Sequence, residues 1–558
     1  MSSASTRVSR PSVGVSSRPP RLVALARRSR RAGWPTDHIL LTFLAATVVI
    51  VAVGLRVAFI DRIPRLTDET DSVVRSLDIF RSGSRPLTDT DAYIGAVFNY
   101  ILATTFAVFG IGPVVPRYLV AAAGVLTVVA TFCLAGEISA LVRRSHHRRA
   151  WGRTDAVVGL IAAAMLAVSP VHILVNSRIA WAHSTTALFT TLALAILVRA
   201  VRREQPALLP PAGLLAGIAL QTHPSVIALL PGTVAWLVWS GKQVLLSRRW
   251  VLLAVLLGGV GCANLLVYNL VTGFDSVHAA LDTANAYDAQ EGGHTGYAGA
   301  LWLEGLGLAR LLAGTIGTRR GDEPPMSFEI LAWAALLLVL VAYAARRGAT
   351  IVPLVIVPFL LLLPLLNTKY EPLFNGRYLM PIVPLVAAGW ALAVTAAHGR
   401  LQAAQPVAGL LAIIAVIVTL ALPVRHFVAY QRVALATGSN EAYASLAQRI
   451  REAHDPDESV LVDEALGGER IASGRRGVSV VEYFLLLSPN PPNVRVGDAD
   501  EFIEYLDAHH DQALLVLLPR LRRRLGAQYD LTPVGAPPHG QEQSIRNAGL
   551  FRAEIREE

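Results

Sequence analysis

Arg65-Leu66-Thr67-Asp68-Glu69-Thr70-Asp71, arriving just after the apolar run from His38 to Ile60, is the stretch on which the reading of this chain turns. Between residues 61 and 118 the acids Asp61, Asp68, Glu69, Asp71, Asp78, Asp89 and Asp91 lie among Arg62, Arg65, Arg75, Arg81 and Arg85. A segment this polar does not cross hydrocarbon, where unsatisfied charge is costly, so it is a loop on one face of a membrane. The run before it is long enough to span, since roughly 20 apolar residues cross a bilayer core. A carboxylate pair just beyond the first span is well placed for chemistry on a lipid-borne substrate.

Composition agrees with a membrane class. The chain has 558 residues, 53% hydrophobic and 16% charged, with a mean hydropathy of +0.48, values that exclude an ordinary soluble enzyme. The formal charge of +10 is carried almost wholly by Arg, with Lys only at Lys242 and Lys369, in an Ala- and Val-rich chain. This is a genomic bias of the kind a high-GC bacterium shows, and no nucleic-acid partner is inferred from it. Cys133 and Cys262 sit in apolar runs and match neither a disulfide framework nor a metal spacing. Residues 1–37 mix Ser, Pro and Arg without apolar periodicity and read as a disordered basic cytoplasmic tail.

The topology depends on Ala92 to Ile111. If this apolar run lies along the membrane surface or re-enters, the later basic clusters Arg143-Arg144, Arg202-Arg203, Arg248-Arg249, Arg346-Arg347 and Arg400 all fall inside, as the positive-inside rule asks. It is therefore read as interfacial. The expected architecture is a transmembrane domain over 38–424 of about eleven helices, with a first outer loop at 61–116, multi-pass in the plasma membrane. The outer loops then collect the unusual polar residues: Asn176 to His183, Thr222-His223-Pro224, Gly273 to Pro325, and Asn367 to Tyr378. Beyond 424, helical periodicity at Glu441–Glu452 and Ala499–His509 alternates with apolar runs at Ser459–Val462 and Ala513–Leu518, which predicts a small extracytoplasmic α/β domain over 425–558.

The Asp68-Glu69 pair after the first span, Tyr93-Ile94-Gly95-Ala96-Val97-Phe98-Asn99-Tyr100 leading to Arg117-Tyr118, Thr222-His223-Pro224 between short spans, and Gly376-Arg377-Tyr378-Leu379-Met380-Pro381 opening a late helix resemble GT-C glycosyltransferases. The similarity is to the branch of protein O-mannosyltransferases and lipid A aminoarabinose transferases, over about the first 400 residues. The resemblance implies a polytopic helical fold with juxtamembrane helices in the first outer loop. It also implies transfer of a hexosyl or pentosyl group from a polyprenyl-phosphate donor to a hydroxyl of a lipid, glycan or protein acceptor at the outer face. By position Asp68 is the expected general base, with Glu69 its neighbour and orienter, and Arg377, Arg178, His223, Tyr93 and Tyr378 are the substrate or phosphate candidates. The chemistry suits the residue types: a carboxylate takes the acceptor proton, and guanidinium groups stabilise the departing phosphate. Asp89-Thr90-Asp91 resembles the acidic metal motif of related oligosaccharide transferases; its spacing is common by chance, so no metal is assigned, and a divalent cation is the one cofactor left open. Where the aminoarabinose branch has a Lys-Pro-Pro-like stretch before Tyr93, this chain has Asp89-Thr90-Asp91-Ala92, which points to a different sugar or acceptor.

Each candidate also has a plain structural reading. Loop carboxylates are commonly solvated, a boundary Arg commonly anchors its helix, and His223 beside Pro224 can simply cap a helix end. Two other classes compete with the enzyme: a lipid or sugar transporter or flippase, which calls for mid-bilayer charge or inverted repeats, and an inactive cell-envelope scaffold.

Overall fold

The computed structural model describes residues 35–62, 67–143, 151–290, 296–315, 327–366, 376–404, 406–437, 439–466, 477–488, 490–509, 513–535 and 547–555. The chain from Thr47 onward forms one compact unit. Helix α1 (Pro35–Val57) is followed by α2 (Thr67–Ser82), α3 (Val97–Phe109), α4 (Val115–Val142), α5 (Arg153–Ala167), α6 (Pro170–Leu174) and α7 (Thr186–Arg203). Then come α8 (Leu209–Thr222), α9 (Leu229–Ser240), α10 (Lys242–Leu245), α11 (Arg248–Gly261), α12 (Ala263–Thr272), α13 (Asp275–Gln290) and α14 (Gly296–Ala313). The helical part closes with α15 (Phe328–Arg346), α16 (Ile351–Leu366), α17 (Gly376–Leu379), α18 (Val383–Ala404) and α19 (Pro406–Thr437).

Among the described residues four helices are long and apolar enough to cross a membrane, and a fifth span is available if α11 and α12, bent by 69°, count as one. Several of the eleven expected spans are shorter apolar helices, α8, α9, α16 and α18 among them, interrupted at Pro or Gly. The expected outer loop from Gly273 to Pro325 contains α13 and α14, and α19 runs on to Thr437, well beyond residue 424.

Close helix packing is made by glycine. Gly213 and Gly217 of α8 face Ala254 and Gly258 of α11, and a Cβ at Gly217 would overlap the Gly258 carbonyl. Small residues one turn apart let backbones meet, the usual basis of helix association in lipid. Gly217→Leu is expected to cost about 1–3 kcal/mol through forced separation of the two helices. Gly305→Ala, where an added Cβ meets nothing within 4 Å, should lie within about 1 kcal/mol of wild type, and thermal unfolding in detergent measures both.

The C-terminal domain starts with α20 (Ser439–Ala453) and contains β1 (Ser459–Asp463), α21 (Val480–Leu486), β2 (Asn493–Gly497), α22 (Ala499–His509), β3 (Ala513–Leu517), α23 (Pro519–Leu525), β4 (Tyr529–Pro533) and β5 (Gly549–Ile555). The sheet order is β2-β1-β3-β5-β4. β1 lies parallel to β2 and β3, and β5 is antiparallel to β3 and β4. β1 and β3 are buried along their whole length, as their unbroken apolar runs require of central parallel strands. The elements read from the sequence are all present; α21, α23 and three strands are additional.

This domain docks on the loop that follows α1. Thr70 Oγ1 donates to the Val478 carbonyl at 2.7 Å, the Val478 amide donates to Asp71 Oδ1 at 2.6 Å, and Arg81 Nη2 donates to the Ser488 carbonyl at 2.7 Å. Tyr483 on α21 donates its hydroxyl to the Pro113 carbonyl at 3.1 Å. The contacts at Thr70 and Pro113 straddle α3, so both its flanks reach the same small helix on one face. α3 has 13 residues, about 20 Å of helix.

Candidate active site

The site is assembled on the α2–α3 hairpin. Asp68 and Glu69 occupy the first turn of α2, where carboxylates are favoured by the unpaired N–H groups of the helix end. Asp68 is half-buried and Glu69 fully buried. The two therefore have different surroundings. Glu69 is gripped by Arg117 of α4, whose Nε and Nη2 each donate at 2.7 Å to one carboxylate oxygen, while Nη1 donates to the Ile60 carbonyl at 2.7 Å. Neither side chain is exposed. This fork ties the start of α2 to α4 and to the end of the preceding segment, and hence fixes where Asp68 sits.

Asp89 holds the other end of the hairpin. Its carboxylate accepts from Ser72 Oγ at 2.7 Å, the Thr90 amide at 2.8 Å and Asn99 Nδ2 at 3.1 Å. Burial pushes this carboxyl above its usual range, against the pull of the three donors. Asp91 accepts from the Tyr93 hydroxyl at 3.4 Å. Both Asp89 oxygens are committed to binding α2 and α3 together, so this pair does not fit a divalent cation. Among the described residues no group of three or more His, Cys, Asp or Glu converges on a metal position.

The turn holding Tyr93 leads across to the later loops. The Gly95 amide donates to the Gln221 carbonyl at 2.8 Å, two residues before His223, and a Cβ at Gly95 would collide with the Gln221 side chain. His223 Nδ1 accepts the Ser225 amide at 3.1 Å, which leaves the ring proton of the neutral form on Nε2. The His223 ring lies 4.2 Å from that of His183 and 4.7 Å from that of Tyr378, centroid to centroid, and Trp181 stands 5.6 Å from His183. Three loops far apart in sequence thus meet in one aromatic and imidazole cluster. His183 and Trp181 were not singled out from the sequence, because neither has a spacing that distinguishes it from a packed loop residue.

Arg178 is buried among protein acceptors. It donates to the Leu55 carbonyl at 2.7 Å, the Ala58 carbonyl at 2.8 Å and Gln431 Oε1 at 3.1 Å, with its guanidinium over the Phe427 ring. Burial, aided by the charge of Arg117, pulls it down to about 10. Nearby Arg56 donates to the Ala52 and Ala167 carbonyls and to Ser177 Oγ, and pairs with His172 Nδ1 at 2.7 Å. Arg178 and Arg56 place buried positive charge close behind the Glu69 turn, while the charge of Arg117 is balanced by Glu69. Arg377 lies in α17 next to Tyr378, with only its backbone described. Lys369 and Glu371 lie outside the described residues.

One further carboxyl is buried on a later helix. Glu304 on α14 is 9% exposed, and its Oε2 lacks a hydrogen-bond partner among the described residues. Burial pushes it up to about 8. The folded protein therefore keeps this proton to higher pH than the unfolded chain does. Stability from this group is intact below the usual glutamate range and is lost as pH rises toward 8. Glu304→Gln is expected to raise the unfolding temperature at pH 8, by up to about 3 kcal/mol of stability, and to leave it unchanged near pH 5. An equal shift at both pH values would overturn this assignment.

Comparison with known proteins follows the same lines. Residues 95–268 match the sequence profile of the dolichyl-phosphate-mannose-protein mannosyltransferase family. No curated protein sequence matches the chain. Among solved structures, ArnT from Cupriavidus metallidurans bound to undecaprenyl phosphate superposes with a TM-score of 0.56 at 15% identity, covering 93% of this chain and 98% of that one. Its apo form superposes with a TM-score of 0.53, again at 15% identity, over 92% and 97%. The helices, the α2–α3 hairpin and the small C-terminal α/β domain together share the fold of these ArnT structures.

Proposed function

We propose that the protein transfers a sugar from a polyprenyl-phosphate carrier to an acceptor hydroxyl at the outer face of the plasma membrane, with Asp68 as general base. The observation that carries this reading is the placement of Asp68: half-buried in the first turn of a helix whose next residue is locked by Arg117, on the face where the α/β domain docks. The likeness to an ArnT that binds undecaprenyl phosphate supports the donor class, and the profile match supports glycosyl transfer.

In this mechanism the acceptor hydroxyl attacks the anomeric carbon as the bond to the carrier phosphate breaks, and its proton passes to the Asp68 carboxylate. Charge develops on the departing phosphate. Arg377 is the proposed direct partner of that charge, and the buried guanidinium group of Arg178 adds to the positive field behind it. Glu69 acts through Arg117 as a positioning residue. Tyr93, His223 and Tyr378 are proposed to line the sugar, the aromatic faces covering its apolar side and His223 Nε2–H donating to an oxygen. The acceptor remains a class, a hydroxyl on lipid, glycan or protein. The N-terminal tail is placed in the cytoplasm and the α/β domain outside.

The test is release of polyprenyl phosphate by the full-length protein reconstituted in lipid and offered a panel of polyprenyl-phosphate hexoses and pentoses with an envelope extract as acceptor source. Turnover of one donor is expected. Failure of every donor with every extract would sink the reading in favour of transport or scaffolding.

A further inference from the structure

The far ends of the helices hold a cavity that the proposed reaction does not use. α4 begins at Val115 beside the Asp68 face and ends at Val142 after 28 residues, about 42 Å away. There the end of α4, the start of α5, the end of α15 and the middle of α18 border a cavity of about 280 Å³, walled by Ser139, Arg143, Tyr343, Arg347, Leu392 and Thr395. The lining is divided in chemistry. Guanidinium and hydroxyl groups gather toward the helix ends, and Val142, Val158 and Leu392 supply an apolar side.

The two arginines are not equivalent. Arg143 is neutralised: its Nε donates to Asp155 Oδ1 at 2.8 Å, Nη2 donates to Oδ2, and Ser139 Oγ adds a bond to the same carboxylate at 2.7 Å. Arg347 is held only by aromatic and hydroxyl contacts, with Nε donating to the Tyr343 hydroxyl at 3.2 Å and the guanidinium 5.6 Å from the Tyr343 ring centroid. No carboxylate among the described residues pairs with Arg347, nor with the adjacent exposed Arg346. The cavity therefore carries net positive charge through Arg347, beside the apolar side chains of Val142, Val158 and Leu392.

We propose that this cavity binds the phosphate head of an acidic phospholipid of the leaflet opposite Asp68. Arg347 takes the phosphate with the fork geometry that suits guanidinium, the Tyr343 hydroxyl, which accepts from Arg347 Nε, has its own proton to donate, and the acyl chains lie along the apolar wall. Basic pockets between helix ends recognise anionic headgroups by this combination. A zwitterionic lipid would bring its own cation against Arg346 and Arg347 and is disfavoured. Free phosphate has the charge without the chains.

The test is titration of the full-length detergent-solubilised protein with phosphatidylglycerol or phosphatidylcholine, read by native mass spectrometry. One phosphatidylglycerol should bind with at least about tenfold preference over phosphatidylcholine. Arg347→Glu should abolish that preference, and Thr395→Leu, which fills the cavity, should weaken phosphatidylglycerol binding at least about fivefold. Arg524→Glu, an exposed charge reversal in the α/β domain, should change neither. Arg347 is exposed, so its variant should unfold at the wild-type temperature. Equal binding of the two lipids, or undiminished phosphatidylglycerol binding by a folded Arg347→Glu protein, overturns the proposal. Displacement of phosphatidylglycerol by equimolar inorganic phosphate overturns it in favour of a free-anion site.

Discussion

Asp68→Asn is expected to lower release of polyprenyl phosphate by about 10²–10⁴-fold, the usual contribution of a positioned general base. Asparagine keeps the size of the side chain and can still accept a bond at the start of α2, so the helix and its docking should survive. The loss should fall on kcat rather than KM, because the carboxylate acts on the acceptor proton as it is transferred and does little for donor binding. Asp78 offers the control: it lies on the same helix, exposed, three turns on, and Asp78→Asn should turn over normally. A raised KM with unchanged kcat for Asp68→Asn would make Asp68 a binding residue, and unchanged turnover would remove it from the site.

The parts of this protein that were legible in the sequence are those whose physics is local. A run from His38 to Ile60 followed by seven acids declares a span and a surface loop without any tertiary information, because burial of those charges in lipid is prohibitive. The surface placement expected of α3 rests on the distribution of Arg between loops, and in the structure the flanking residues Thr70 and Pro113 are tied to the C-terminal domain through Val478 and Tyr483. The roles within the Asp68-Glu69 pair were less legible. Adjacent residues on a helix point about 100° apart, so one faces the protein and the other does not, but only the position of Arg117, 48 residues on, says which. Likewise Arg178 reads as a phosphate ligand from its place in an outer loop, whereas folding surrounds it with the carbonyls at the end of α1. The meeting of His183, His223 and Tyr378 depends on three loop closures at once, and no periodicity in the sequence records it. In the α/β domain the apolar central strands were readable, while β2, with its alternating burial, and β4, mostly exposed, carry too little apolar signal to stand out at an edge.

Glu69→Gln and Arg117→Leu should each destabilise the protein by about 3–5 kcal/mol, because each leaves an unpaired charge or donor set in a site with no access to water. Arg117→Leu removes the charge and also strips a donor from the Ile60 carbonyl; Glu69→Gln leaves the guanidinium buried with an amide in place of its counter-ion. The double variant Glu69→Gln/Arg117→Leu should be less destabilised than the sum of the two, since a buried pair replaced together loses its attraction and its desolvation cost at once. Thermal unfolding in detergent measures all three. The same series separates positioning from catalysis. Asp68→Asn should abolish turnover at an unchanged unfolding temperature, whereas Glu69→Gln should lower both, because α2 is no longer held against α4 and Asp68 moves with it. If Glu69→Gln were as stable as wild type, the fork would not be what fixes α2, and the placement of Asp68 would have to rest on the Asp89 end of the hairpin and the contacts of Thr70 and Asp71 with the α/β domain.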